Sequence, residues 1–155
     1  MSMNEGTSAI GRPVPLVDGI EKVTGKALYT ADLDSRGTLS GRILRASVSH
    51  ARILSIDTSR ASALPGVCAV ITGQDCDKTY GVIPIAMNEY PMARDKIRYL
   101  GEPIAAVAAI DADTAAHALE LIDVEIEELA ACYTAAQSRA PDAPLLHADK
   151  PGNLE

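Results

Sequence analysis

The strongest constraint on the fold is a stretch in which a buried strand, a capped helix and a half-exposed strand follow one another. Residues 103–110 are a nearly unbroken apolar run, which is typical of a buried strand. Asp111 can cap a helix over residues 111–121, because its carboxylate accepts the free amide hydrogens of the first turn. Residues 122–127 alternate apolar and charged, which predicts a strand with one face in solvent. We therefore expect one β-α-β unit, whose residues specify architecture rather than chemistry.

A second, tighter β-α-β unit is predicted upstream. Asp57 or Thr58 can cap a single helical turn, which Pro65-Gly66 would end. Residues 73–88 show no period, so we expect a loop there. A short helix is predicted over residues 134–138. The other predicted elements are strands over 39–48, 51–56 and 67–72 and the helical turn over 59–64. The fold class expected is mixed α/β.

The two ends of the chain differ in composition from its middle. Residues 1–9 are small and polar and are expected to form a disordered lead-in. Residues 10–34 carry repeated Gly and Pro turn signals and no period, so we expect an extended arm that lies on a surface outside these 155 residues. The folded domain is placed at 35–140, and residues 141–155 are interpreted as a linker.

The composition excludes several classes of protein. The chain has no Phe, no Trp and five Tyr, so its core must be aliphatic. The net charge is −7, and residues 61–155 hold six basic against fifteen acidic side chains. A basic nucleic-acid-binding face is therefore not expected. No apolar run approaches the length of a membrane span and no signal segment is present, so we expect a soluble cytoplasmic protein.

The cysteines and histidines do not form a metal-binding or disulfide pattern. Cys68, Cys76 and Cys132 are an odd number without a CxxC pair, and the histidines are at 50, 117 and 147. Reduced thiols are therefore expected, and the apolar run around Cys68 favours a core position for it.

No constellation in the sequence is catalytic. Glu125 and Glu127 share the outward face of a predicted strand, which is the ordinary solvated side. A Gly-x-Ser-x-Gly elbow, a P-loop and a dinucleotide fingerprint are all absent from the sequence. We assign no catalytic, cofactor-binding or metal-binding residue.

Two groups of residues are weaker candidates for an interface. His50 beside Arg52 could hold an anion, or could belong to a plain turn. Tyr90, Arg94 and Arg98 could form an exposed recognition patch, or simply a charged turn.

Several separate segments, in order, resemble one family. Residues 11–13, 18–32, 47–57, 64–67 and 95–109 are similar to the molybdopterin-binding large subunits of the xanthine dehydrogenase and aldehyde oxidase family. The resemblance extends over about residues 10–155. Within the family, the stretch Ile-Pro-Ile-Ala-Met-Asn-Glu-Tyr-Pro-Met-Ala-Arg-Asp-Lys at 83–96 resembles the α subunits of 4-hydroxybenzoyl-CoA reductases.

The resemblance implies an α/β hammerhead domain, with the arm packed against the molybdopterin domains that follow in the family. The family's cofactor-binding and catalytic residues would lie beyond Glu155, so none is transferred to this chain. For the full enzyme the resemblance implies a molybdopterin-type molybdenum cofactor, iron–sulfur clusters and FAD in partner subunits, and reduced ferredoxin as electron donor. The reaction implied is reductive removal of the 4-hydroxyl of 4-hydroxybenzoyl-CoA.

Two classes of function remain open. The chain is either an enzyme domain that is inactive alone, or a stand-alone interaction module that keeps the hammerhead fold without the enzyme. In both cases an uncovered interface should make the isolated segment self-associate. We expect it to carry no molybdenum, and its cysteine spacing does not fit iron–sulfur ligation.

Overall fold

A computed structural model describes residues 11, 13–33, 36–83 and 87–154. The chain divides into two units, Met1–Arg36 and Gly37–Glu155. The lead-in predicted for residues 1–9 lies outside the described residues, as do residues 10, 12 and 34 of the predicted arm. In the described part of the chain the longest helix has nine residues, and none is long and apolar enough to cross a membrane.

The first unit contains a short helix that the sequence did not predict. Helix α1 spans Gly19–Val23, and a 3-10 turn follows at Thr30–Asp32. An ion pair between Asp18 and Lys22 spans one turn of α1, and the Thr24 hydroxyl donates to the Ile20 carbonyl at 2.7 Å. Five residues are too few to show a helical period, which is why the arm was expected to be irregular. None of the residues of α1 is buried.

The second unit is built on two three-stranded antiparallel sheets. The strands are β1 Ser40–Arg45, β2 Ala51–Asp57, β3 Val67–Thr72, β4 Lys96–Ile97, β5 Pro103–Ala109 and β6 Asp123–Glu128. The first sheet has the order β1-β5-β3 and the second the order β4-β2-β6. The helices are α2 Ser59–Ser62, α3 Ala112–Glu120 and α4 Ala135–Ser138, with 3-10 turns at Gly73–Asp75 and Pro151–Asn153.

Both predicted strand–helix–strand units are present, but each connects the two sheets. The chain passes from β2 through α2 to β3, and returns from β5 through α3 to β6. The two strands of a unit therefore do not share a sheet, and every pairing between strands is antiparallel. Periodicity predicts each element but not its partner, because pairing depends on residues far apart in sequence.

Strand β5 is the centre of the first sheet and carries the main core. Its residues Ala105, Val107 and Ala109 are buried against α3, which contributes Ala115 and Ala118. Because all but one of these side chains are alanine, the helix can pack closely on the sheet. The opposite face of β5 is only half covered at Ala106 and Ala108.

The predicted helix caps are observed. The Asp111 carboxylate accepts the Thr114 amide hydrogen at 2.7 Å, and this bond lowers the pKa of Asp111. Of the two candidates for capping α2, Asp57 makes the bond, to the Ser59 amide at 2.9 Å. The boundaries of both helices follow from these side chains.

The expectation that Cys68 belongs to the core is wrong. The pairing of β3 with β5 shifts register between Val67 and Ala69, and the residue between them is exposed. A bulge of this kind leaves one residue without a partner and turns its side chain away from the alternating pattern. All three cysteines carry free thiols.

A second core cluster joins the two sheets. Ile97 from β4 and Ile104 from β5 pack with Ala46, Ala51 and Ala93. Gly73 lies directly against this cluster, since a Cβ placed on it would be 2.1 Å from the Ala93 carbonyl oxygen.

The close approach at Gly73 can be tested by adding one methyl group. We expect Gly73→Ala to lower the free energy of unfolding by about 3 kcal/mol, because the backbone of Ala93 must move. Gly41→Ala is the matched control, since its Cβ would meet no atom within 4 Å, and we expect a change below about 1 kcal/mol. Urea denaturation gives both values. Equal stability of the two variants would contradict this packing.

Candidate functional site

Three of the interface candidates named from the sequence lie around one cavity in the second unit. Tyr90, Arg94 and Arg98 line a cavity of about 260 Å³. Its other walls are Tyr80, Asn88, Glu89, Pro91, Met92, Tyr99, Glu102, Pro103 and His147. The stretch that could have been a simple charged turn thus contributes to a concave surface. We call this cavity the tyrosine–arginine cleft.

Local backbone structure sets the walls of the cleft. Tyr80 and Glu89 exchange two backbone hydrogen bonds of 2.8 and 3.1 Å, which close the loop between them. On the other side the chain turns between Arg98 and Glu102, with Gly101 at φ +84°, a conformation that favours glycine. The Gly101 carbonyl accepts from the Arg45 guanidinium at 2.9 Å, which holds this turn on β1.

The Arg94 side chain is oriented by an aromatic ring. Its guanidinium lies 4.9 Å from the centre of the Tyr90 ring. A cation–π contact of this kind holds the guanidinium over the ring face and leaves its N–H groups free to donate. In the described part of the chain the side chain makes no ion pair and donates no hydrogen bond.

The Arg98 side chain is only partly satisfied. One terminal nitrogen donates to the Lys96 carbonyl at 2.9 Å, and the other lies 3.5 Å from the exposed Asp95 carboxylate. The Nε–H group is buried and has no acceptor among the described residues. A buried donor without an acceptor destabilises a protein by an appreciable fraction of its net stability.

Glu102 is a site residue that the sequence reasoning missed. Its side chain is 9% exposed, and its carboxylate accepts the Arg98 amide hydrogen. Burial raises the pKa of Glu102, while the backbone bond from Arg98 and the charge of Arg98 act in the opposite direction. The signal available in the sequence was a single glutamate in Gly101-Glu102-Pro103, directly before an apolar strand.

His50 and Arg52, for which the sequence left an anion site and a plain turn open, each have a partner within the chain. His50 is 3% exposed, and its Nδ1 donates to the Ala130 carbonyl. In the neutral ring that tautomer leaves Nε2 as an acceptor, which cannot donate to an anion. Arg52 is exposed and its guanidinium donates to the Glu127 carboxylate at 2.7 Å. The two side chains therefore have separate, structural partners.

The carboxylates of β6 occupy the solvated face, as the alternation predicted. Glu127 bonds to Arg52 and Glu125 accepts from the Ser55 hydroxyl at 3.2 Å, both across the pairing with β2.

Within residues 11, 13–33, 36–83 and 87–154, no group of three or more His, Cys, Asp or Glu side chains could hold a metal ion.

The segment interpreted as a linker forms hydrogen bonds with other parts of the second unit. The Lys96 ammonium donates to the carbonyls of Leu145 and Leu146 at 2.6 and 3.2 Å, and burial lowers the pKa of Lys96. The Asn153 amide donates to the Ser138 and Pro144 carbonyls at 3.0 Å each. These bonds place His147 at the edge of the cleft. The assignment of residues 141–155 as a linker stays a prediction.

The raised pKa of Glu102 predicts a specific pH dependence of stability. A carboxyl whose folded-state pKa lies above its ordinary value of 4.5 contributes stability below that value, which is lost as the pH rises through the folded-state pKa. We therefore compare the unfolding free energy of the wild type with that of Glu102→Gln. We expect the difference, wild type minus variant, to fall as the pH rises from the ordinary pKa of 4.5 to the folded-state pKa of Glu102.

Denaturant titrations of both proteins from acid to neutral pH give this difference, in which the contributions of groups that do not interact with Glu102 cancel. A difference that is constant or increases with pH would contradict the buried position of the carboxylate.

The chain is similar to known proteins over most of its length. Residues 24–130 match the family described as aldehyde oxidase and xanthine dehydrogenase, a/b hammerhead domain. A probable xanthine dehydrogenase subunit of Bacillus subtilis is 39% identical over 139 residues, covering 88% of this chain and 18% of that protein. The nicotinate dehydrogenase large molybdopterin subunit of Eubacterium barkeri is 35% identical, covering 95% of this chain and 35% of that protein.

Solved structures show the same fold. The Cu,Mo-CO dehydrogenase structure superposes with a TM-score of 0.78 at 37% identity, covering 90% of this chain and 18% of the matched chain. The aldehyde oxidoreductase of Desulfovibrio gigas gives a TM-score of 0.79 at 34% identity, covering 88% and 16%. The chain therefore spans about a sixth to a third of the length of these four proteins.

Proposed function

Since the chain belongs to the xanthine dehydrogenase and aldehyde oxidase family, of which it carries the a/b hammerhead domain, we propose that it is a non-catalytic assembly domain of a molybdenum-containing oxidoreductase large subunit. Its part in that enzyme is to pack against the molybdopterin-binding remainder of the same subunit. The observation that carries the assembly role is the uncovered face of the first sheet.

That face is apolar across all three strands. Ala106 of β5 pairs with Ile43 of β1 and with Ile71 of β3, and the two isoleucines are 46% and 42% exposed. Ala108 pairs with Gly41 and Ala69 in the same way, so these six paired positions include no charged side chain. A contiguous apolar surface on a sheet is typical of a protein interface. We call it the open sheet face.

The first unit supports the same proposal on its own evidence. The apolar side chains Leu16, Val17, Ile20, Val23 and Leu28 are all exposed. So short a segment cannot bury these side chains against itself, which favours the packing of the arm on another protein surface.

The cofactors of the proposed enzyme belong outside these residues. We place the molybdopterin-type cofactor in the remainder of the large subunit, and the clusters and FAD in partner subunits.

For the substrate we propose 4-hydroxybenzoyl-CoA. Relatives of similar identity are named for nicotinate and for carbon monoxide, so family membership alone does not select a substrate. The resemblance of residues 83–96 to 4-hydroxybenzoyl-CoA reductases supports the choice. Two electrons, which we assign to reduced ferredoxin, and two protons would replace the ring hydroxyl by hydrogen and release water, giving benzoyl-CoA. The free thiols fit a cytoplasmic enzyme.

The size and composition of the native protein test this proposal. An antibody against residues 37–154 should detect, in extract of the source cells, a polypeptide several times larger than this 16.3 kDa chain. The purified protein should contain molybdenum and form benzoyl-CoA with a low-potential electron donor. A molybdenum protein without this activity would overturn only the substrate. A native band near 16 kDa without molybdenum would favour the stand-alone interaction module instead.

The open sheet face predicts self-association of the isolated 155-residue chain. Light scattering should detect dimers or larger species, and Ile71→Lys should shift the protein towards monomer, because a charge on this face must be desolvated in the complex. Leu54→Lys in β2 is the matched control, since Leu54 is similarly exposed but lies in the second sheet. A strictly monomeric wild-type chain, or an equal effect of both variants, would contradict the assignment of the interface.

A further inference from the structure

The tyrosine–arginine cleft concentrates the aromatic side chains of this protein. Three of its five tyrosines, Tyr80, Tyr90 and Tyr99, line the cleft, and the sequence contains no Phe or Trp. All three are exposed although they stand at a concave surface. Flat, partly exposed tyrosine rings bind planar groups with little loss of side-chain entropy.

The cleft also presents guanidinium donors that lack acceptors. The Arg94 guanidinium lies over the Tyr90 ring and has no acceptor in the described part of the chain. One terminal nitrogen of Arg98 donates no hydrogen bond to a described residue and lies 3.5 Å from the exposed Asp95 carboxylate. Guanidinium groups bind carboxylates through charge-assisted and often paired hydrogen bonds, so a carboxylate would satisfy both arginines.

The acidic side chains of the cleft do not already fill that role. Glu102 is committed to the backbone amide of Arg98, where it stabilises the turn. Glu89 lines the cleft, and its carboxylate forms no ion pair or hydrogen bond with a described residue. Its negative charge opposes the binding of an anion. Removal of that charge should therefore strengthen binding, whereas removal of an arginine should weaken it.

We propose that the tyrosine–arginine cleft binds a small aromatic carboxylate, whose carboxylate group lies on Arg94 and Arg98 and whose ring packs against the tyrosines. The cavity of about 260 Å³ is smaller than the pockets that enclose drug-sized ligands, which fits a single-ring molecule. The proposal does not rest on the oxidoreductase function.

Titration of the isotope-labelled 155-residue chain with benzoate, followed by NMR, tests the site. We expect a dissociation constant on the order of 1 mM, as suits a ligand of so few atoms. The Nε–H signal of Arg98 should shift with the same constant. Benzamide keeps the ring but lacks the negative charge, so its dissociation constant should be at least about ten times that of benzoate.

Three substitutions and one control locate the binding. Arg98→Gln and Arg94→Gln should each weaken benzoate binding about tenfold, whereas Glu89→Gln should strengthen it. Arg94 donates no hydrogen bond to a described residue, so Arg94→Gln tests the site even if Arg98→Gln disturbs the turn. Arg60→Gln on α2 removes an arginine outside the cleft and should have no effect.

Several results would overturn the proposal. The first is a lack of saturation by about 10 mM benzoate. The second is equal affinity for benzamide and benzoate. The third is unchanged benzoate binding by the Arg94→Gln, Arg98→Gln double variant, provided that its amide spectrum shows the same fold as the wild type.

Discussion

The packing of α3 on strand β5 is the interaction on which the rest of the second unit depends. Strand β5 pairs with both β1 and β3, and its buried face meets Ala115 and Ala118 of the helix. A chain without Phe or Trp cannot fill wide gaps in a core, so helix and sheet must approach closely. The alanines of β5 and α3 permit that approach. At its start the same strand contributes Ile104 to the cluster that holds the second sheet.

This arrangement explains which parts of the fold could be predicted from the sequence. Strand β3 has the predicted bounds, and the Asp111 cap follows from a local preference of the first helical turn. Both signals depend on residues that are close in sequence. The assignment of strands to two sheets could not be predicted in this way, because β2 pairs with β6 and β5 with β1 across long stretches of chain. The exposed Cys68 required knowledge of a bulge in that pairing.

The candidate site was predictable to a similar extent. Tyr90, Arg94 and Arg98 are near one another in sequence, and a charged turn rich in Tyr and Arg is a reasonable indication of a recognition surface. Glu102 and His147 reach the same cleft through long-range structure, His147 by way of the bonds from Lys96 to the chain around Leu145. The partner of His50, the carbonyl of Ala130, could not be predicted, because it is eighty residues away and is a backbone group, for which the sequence gives no signal.

The two faces of β5 separate the stability of this domain from its assembly. Ala105, Val107 and Ala109 are buried within the chain, whereas Ala106 and Ala108 alternate with them on the open sheet face. A strand covered on one face normally carries polar residues on the other. Here the second face stays apolar, and its small side chains let another element approach the sheet as closely as α3 does on the first. A polar substitution there would remove little that the domain itself needs, so the stability of the domain does not explain the apolar character of this face, whereas the proposed assembly role does.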